Sequence, residues 1–140
     1  MRELATHARD FTTLLSDAVA RARSIHAIVL VDRDGLPMAS TLGPGELEDG
    51  LGATTTDAAR WLRYATDLCS LGATFRIHVA AQERQLFLVP VHGDVWLVAL
   101  CDAMVSQESA TTHLLALARE IVVCGLSPLP YEPETPEASP

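Results

Sequence analysis

The residues able to do chemistry are few, and their spacing decides what they can do. Cys101 and Asp102 close an apolar run, and His92 stands at the turn before it. A thiol beside a histidine and an acid is the minimum for nucleophilic catalysis. Chance brings such groups to neighbouring strand ends in many sheets, so the trio assigns no enzyme. His7, His26, His78, His92 and His113 form no i,i+4 pair, and no two cysteines have metal-ligand spacing, so no metal site is read. Cys69, Cys101 and Cys124 are odd in number, and each lies inside an apolar run; buried, reduced thiols are expected. Gly45 and Gly50 have the spacing of a phosphate loop, but Leu51-Gly52 stands where Lys and Ser/Thr are needed. Glu46, Glu48 and Asp49 would also repel a phosphate. Neither a catalytic residue nor a cofactor is expected. What remains are surfaces: an aromatic stripe with Trp61, Tyr64 and Leu68, a polar strand face with Arg76 and His78, and the helix arginines Arg60 and Arg63.

The elements that must position these groups are legible in the hydrophobic pattern. Residues 3–23 read as an amphipathic helix, with Leu4, Ala8, Phe11, Leu15, Ala18 and Ala22 on one face. The stretch from Ile25 to Ser40 reads as two strands of a tight hairpin around Asp34-Gly35. Its first run, Ala27 to Val31, is apolar at every position, which implies a strand covered on both faces. Residues 42–52 read as a glycine-broken loop or an irregular helix start, and 53–71 as a second helix with Thr54 and Asp57 as its capping pair. Two apolar stripes run along that helix, one with Ala58, Leu62, Ala65 and Cys69, the other with Trp61, Tyr64, Leu68 and Leu71. A helix on a sheet needs only one, so either the helix is deeply embedded in the core, or one stripe meets the sheet and the other a partner, most simply a second copy.

Residues 73–82 alternate: Phe75, Ile77 and Val79 point one way, and Thr74, Arg76 and His78 the other, as in an edge strand with one wet face. Residues 85–91 form the next strand, with Pro90 at a point lacking a ladder donor, and 95–101 a fifth strand, apolar on both faces. Ser106 caps the last helix and Gly125 stops it. The fold class expected is an α/β (α+β) sandwich: a five-stranded, mainly antiparallel sheet flanked by three helices, in the order α-β-β-α-β-β-β-α. Residues 1–126 form one domain, and 127–140, SPLPYEPETPEASP, a disordered Pro-rich acidic tail. Tyr131 in that tail is a candidate docking residue, with solvent exposure the blander expectation.

Composition narrows the partners. A net charge of −8 argues against nucleic acid, whose phosphates an acidic surface repels. No apolar run approaches the ~20 residues of a membrane helix, and the N-terminus lacks a signal-peptide core, so a cytoplasmic protein is expected. Every basic residue besides histidine is arginine, which fits a GC-rich bacterial genome.

This order of elements resembles the roadblock/dynein-light-chain family. The segment IVLVDRDGLPMAS at 28–40 is similar to the family's first hairpin, and VPVHGDVWLVALCD at 89–102 to its last two strands. The resemblance spans residues 3–125 and rests on the conjunction of these segments. It implies a homodimer in which the third strands pair through residues 74–80 and the second helices pack across the axis. Trp61, Tyr64, Leu68, Phe75, Arg76, Ile77 and His78 would then form the dimer interface. The family is non-enzymatic, and many bacterial members bind a Ras-like small GTPase and regulate its cycle. Some accelerate hydrolysis without supplying a catalytic arginine. The expectation is therefore a dimeric adaptor, a GTPase-activating or scaffold protein, with Arg60 and Arg63 as candidate partner contacts. The competing reading is a PAS- or GAF-like small-ligand sensor, for which Arg76 and His78 offer the one polar cluster.

Overall fold

A computed structural model describes residues 2–125, with side chains from Phe11 onward. Leu4 and Ala8 of the first stripe, and the tail at 127–140, lie outside the described positions. The elements follow the expected order: α1 (Arg2–Arg21), β1 (Ile25–Val31), β2 (Pro37–Ser40), α2 (Glu46–Leu68), β3 (Ile77–Ala80), β4 (Arg84–His92), β5 (Val95–Asp102) and α3 (Gln107–Cys124). The strands form a single antiparallel sheet in the order β2-β1-β5-β4-β3.

The two apolar runs, Ala27 to Val31 in β1 and Val95 to Cys101 in β5, lie at the centre of that order between β2 and β4, and their side chains divide between two cores by alternation. Ile28 and Leu30 of β1, Phe87 and Val89 of β4, and Leu97, Ala99 and Cys101 of β5 face α1 and α3, where Phe11, Leu15, Leu114, Leu117 and Ile121 meet them. Val29, Val31, Leu88, Trp96 and Val98 face the other way, toward α2.

The β1–β2 hairpin closes as the Asp-Gly pair requires. The Gly35 N–H donates to the Asp32 carbonyl, and Gly35 takes a φ of +83°, open to a residue without a Cβ. The Asp32 carboxylate accepts from the backbone N–H groups of Asp34 and Leu36, which locks the turn. The same glycine lets α2 approach. A Cβ at Gly52 would lie 2.3 Å from the Gly35 carbonyl oxygen, so backbone meets backbone where helix crosses hairpin.

Three local readings are corrected. α2 begins at Glu46, so 46–52 is helix and Thr54 and Asp57 are internal to it. The acids Glu46, Glu48 and Asp49, which looked like loop residues, stabilise its first turn by charge against the helix dipole. β3 is only four residues long, and 71–76 is irregular. In the β3–β4 register Ile77 faces Leu88, so Phe75 would face Pro90, which has no N–H to give a ladder; pairing stops short of it. Finally, only Cys101 is buried; Cys69 and Cys124 are exposed, because each ends a helix.

Candidate functional site: an uncovered face

α2 is held to the sheet by its first half. Leu51 and Ala59 pack against the Val29–Trp96 core, and Thr55 is 2% exposed. From Arg60 onward the helix is exposed at every position except Thr66. Neither apolar stripe therefore meets the sheet as expected. The sheet-facing line is Gly52, Thr55 and Ala59, small residues that allow close approach, while Leu62, Ala65 and Cys69 stand in the open with Trp61, Tyr64 and Leu68.

The helix ends in a turn that carries this apolar surface onward. Ser70 takes a left-handed φ of +56°, its N–H donates to the Asp67 carbonyl, and the Leu71 N–H reaches back to Thr66. This is the paired hydrogen-bond pattern of a Schellman motif, with serine where glycine is usual. Beyond it the chain runs out to the free edge β3. Trp61, Tyr64, Leu68, Leu71 and Phe75 are each about two-thirds exposed or more, and Val79 on the edge strand 47%. The three aromatic rings alone present roughly 300–500 Å², the size of the largest apolar patch on an ordinary monomer.

The remaining residues expected at an interface divide. Ile77 is half-buried in the core beneath α2. Arg76 and His78 turn to the opposite face, and that face is covered, where a wet one was expected. The Arg76 guanidinium donates to Thr111 Oγ1 and Gln107 Oε1 on α3, at 2.9 and 3.2 Å. The His78 ring stacks on Phe87, with centroids 4.3 Å apart, and bonds the buried Gln85 amide. Gln85 Nε2 donates in turn to the carbonyls of Asp102, Ala103 and Val105, which commits its oxygen to accepting from His78. The cluster ties the edge strand to the start of α3. Neither Arg76 nor His78 lines the cleft beside α2 or the one between α1 and α3. Gln85, Gln107 and Thr111 were not legible as their partners, because nothing in a sequence marks a residue 35 positions away as a neighbour.

The catalytic trio is taken apart by the register. Cys101 pairs with Gln85 and His92 with Val95, at opposite ends of the β4–β5 hairpin. Asp102 instead bonds His26 at the start of β1. Burial, with a smaller contribution from the Asp102 charge, pushes the Cys101 thiol from 9.0 up to about 11, so at neutral pH it is not a nucleophile. Among the described residues no cluster of His, Cys, Asp or Glu is arranged to hold a metal ion, and no helix is long and apolar enough to cross a membrane.

Arg60 and Arg63 lie beside the aromatic stripe. Each is in an exposed ion pair, Arg60 with Asp57 at 3.5 Å and Arg63 with Asp94 at 3.1 Å. Between this part of α2, the 72–74 segment and the β4–β5 turn lies an open cleft of about 710 Å³, to which Arg33 of the first hairpin also contributes.

The fold recurs in solved structures. A Roadblock/LC7 domain from Streptomyces avermitilis superposes with a TM-score of 0.73 at 18% identity, covering 79% of this chain and 92% of that one. MglB from Myxococcus xanthus gives 0.74 at 15% identity, over 81% and 93% of the two chains. The fold is that of the Roadblock/LC7 domain. An MglB in a tetrameric arrangement matches equally well, at 0.74 and 13% identity over 84% of this chain and 89% of that one. No family model and none of the curated proteins matches the chain by sequence. A Roadblock/LC7 sheet with three helices is thus reached here by a sequence far from those of its structural neighbours.

Proposed function

We propose that the protein is a non-enzymatic, homodimeric adaptor that binds and regulates a Ras-like small GTPase, as an activating protein or a scaffold. The observation that carries the dimer is the exposure of Trp61, Tyr64 and Leu68 on α2 and of Phe75 before the free sheet edge. A monomer that left this strip in water would forgo about 25 cal/mol for each Å² of apolar surface. Two copies would cover it by packing α2 on α2 and by pairing β3 with β3, using the edge's unpaired backbone groups. Ile77 would continue the strip beneath the helix, and Arg76 and His78 would brace the pairing edge from behind rather than touch the partner copy.

The GTPase reading rests on the resemblance of the two hairpin segments and on the fold shared with MglB. Arg60 and Arg63 border the strip on the same helix, where they would be free to contact a partner seated on the dimer. Regulation would follow from differential binding: a surface that fits one conformation of the GTPase switch segments shifts their population toward it. Affinity capture from the source organism's lysate tests this, with the full chain as bait in GDP and in a non-hydrolysable GTP analogue. Enrichment of a Ras-like GTPase in one nucleotide state is the expected result, and a hydrolysis assay on the captured protein then separates activation from scaffolding. A dimeric bait that retains no GTPase in either state would refute the partner.

A further inference from the structure

The cleft beside α2 and the acidic tail are features that the proposed dimer leaves without a role. The cleft gathers Arg33, Arg60 and Arg63, three of the ten arginines in a chain that carries 18 acids. Its two carboxylates are Asp67 and Asp94, and His92 stands at its rim. Pro90 and Trp96 add apolar surface to its lining. The combination suits an extended segment that alternates acids with apolar, ring-bearing residues. The chain contains one: after Gly125, residues 130–137 read PYEPETPE, with Glu132, Glu134 and Glu137 and no basic residue.

We propose that the C-terminal segment from Pro130 to Glu137 docks into this cleft on its own chain, its glutamates on Arg33, Arg60 and Arg63. Glu132 and Glu137 stand 7 and 12 residues beyond Gly125, which at ~3.1 Å per residue in a polyproline conformation spans roughly 20–40 Å. The domain itself has a radius of gyration of only ~14 Å. Prolines at 128, 130, 133 and 136 pre-set the extended form, so little chain entropy is left to lose on docking. The existing ion pairs do not block it. Arg60–Asp57 and Arg63–Asp94 are exposed at both ends, and pairs of that kind exchange partners at little cost. Tyr131 would lay its ring against Pro90 and Trp96. This docking does not depend on the identity of any other partner, and it would cover the two arginines that a partner could use.

The test compares the full chain with its E132Q/E134Q/E137Q variant by amide and indole NMR. Both proteins keep residues 2–125 unchanged. The expected result is a set of shift differences at Arg60, Arg63, Gly72, Gly93 and the Trp96 indole, lost in ~1 M salt, where the screening length is ~3 Å. The reciprocal variant, R60Q/R63Q, should move the tail resonances toward those of the glutamine variant. Differences confined to 127–140 would overturn the proposal. So would differences that grow with protein concentration, since these would place another copy's tail in the cleft.

Discussion

α2 and α3 pack on opposite faces of one sheet and spend their apolar residues in opposite ways. α3 is 18 residues long and buries six of them: Ala110, Thr111, Leu114, Leu117, Ala118 and Ile121. α2 is 23 residues long and buries only Gly52 and Thr55, yet it carries Trp61, Tyr64 and Leu68. The ends differ too. α3 begins on Ser106, whose hydroxyl accepts from the Ser109 N–H, and stops on Gly125. α2 begins on Gly45 with no side-chain cap and ends on a left-handed serine. One helix is finished within the chain. The other has its bulky residues on the side facing away from the sheet, which is where a second molecule would have to be.

The largest expected effect tests that contrast within the fold. Leu114→Ala deletes a fully buried side chain from the α1/α3 core and should cost about 2–5 kcal/mol of unfolding free energy. Tyr64→Ala, on a residue of greater volume, should cost well under ~1 kcal/mol in urea titrations run dilute enough to keep the protein monomeric. Equal costs would mean that α2 is buried in the monomer after all. Next in size is Gly52→Ala. Its added Cβ would meet the Gly35 carbonyl, so helix and hairpin must separate, at a cost of about 1–3 kcal/mol. A neutral result in the same titration would show that the close crossing is not what anchors α2.

Trp61→Arg moves the comparison from fold to assembly. It places a charge in the middle of the exposed strip and should weaken self-association at least about tenfold, ~1.4 kcal/mol, while the urea midpoint of the monomer stays put. Sedimentation equilibrium reads the first and circular dichroism the second. An unchanged association constant would take Trp61 out of the interface, and an unfolded protein would make it a core residue.

How much of this was readable in the residues depends on the range of the interaction that decides each feature. Local chemistry was legible: the Asp34-Gly35 turn, the Ser106 cap, the two apolar inner strands and the order of all eight elements. The exposure of the aromatic stripe was legible too, but the other stripe, expected to meet the sheet, stands in the open beside it. What failed was non-local. Gly50 and Gly52 read as helix breakers, and only the approach of Gly35 from 17 positions away explains why a helix tolerates Gly52. Arg76 and His78 looked solvated on a strand whose polar face turned out to be covered by α3. Cys69 and Cys124 sit in apolar runs, but those runs end at helix termini, where a residue's face is set by where the chain turns.

The smallest effect concerns that turn at the end of α2. A side chain at the left-handed position carries a Cβ clash that glycine lacks, worth roughly 1 kcal/mol. Glycine also gives the unfolded chain more freedom, which offsets part of the gain. Ser70→Gly should therefore raise the stability of the monomer by only about 0.5 kcal/mol, read as a small upward shift of the urea midpoint. Its effect on association separates two roles for the serine. If the turn serves only to end the helix, Leu71 and Phe75 keep their places and the dimer constant is unchanged. If the stiffness of a non-glycine residue holds the loop out toward β3, the variant gains stability as a monomer and loses affinity as a dimer. Loss of monomer stability would contradict both, because it would mean that the serine makes a native contact worth more than its backbone strain.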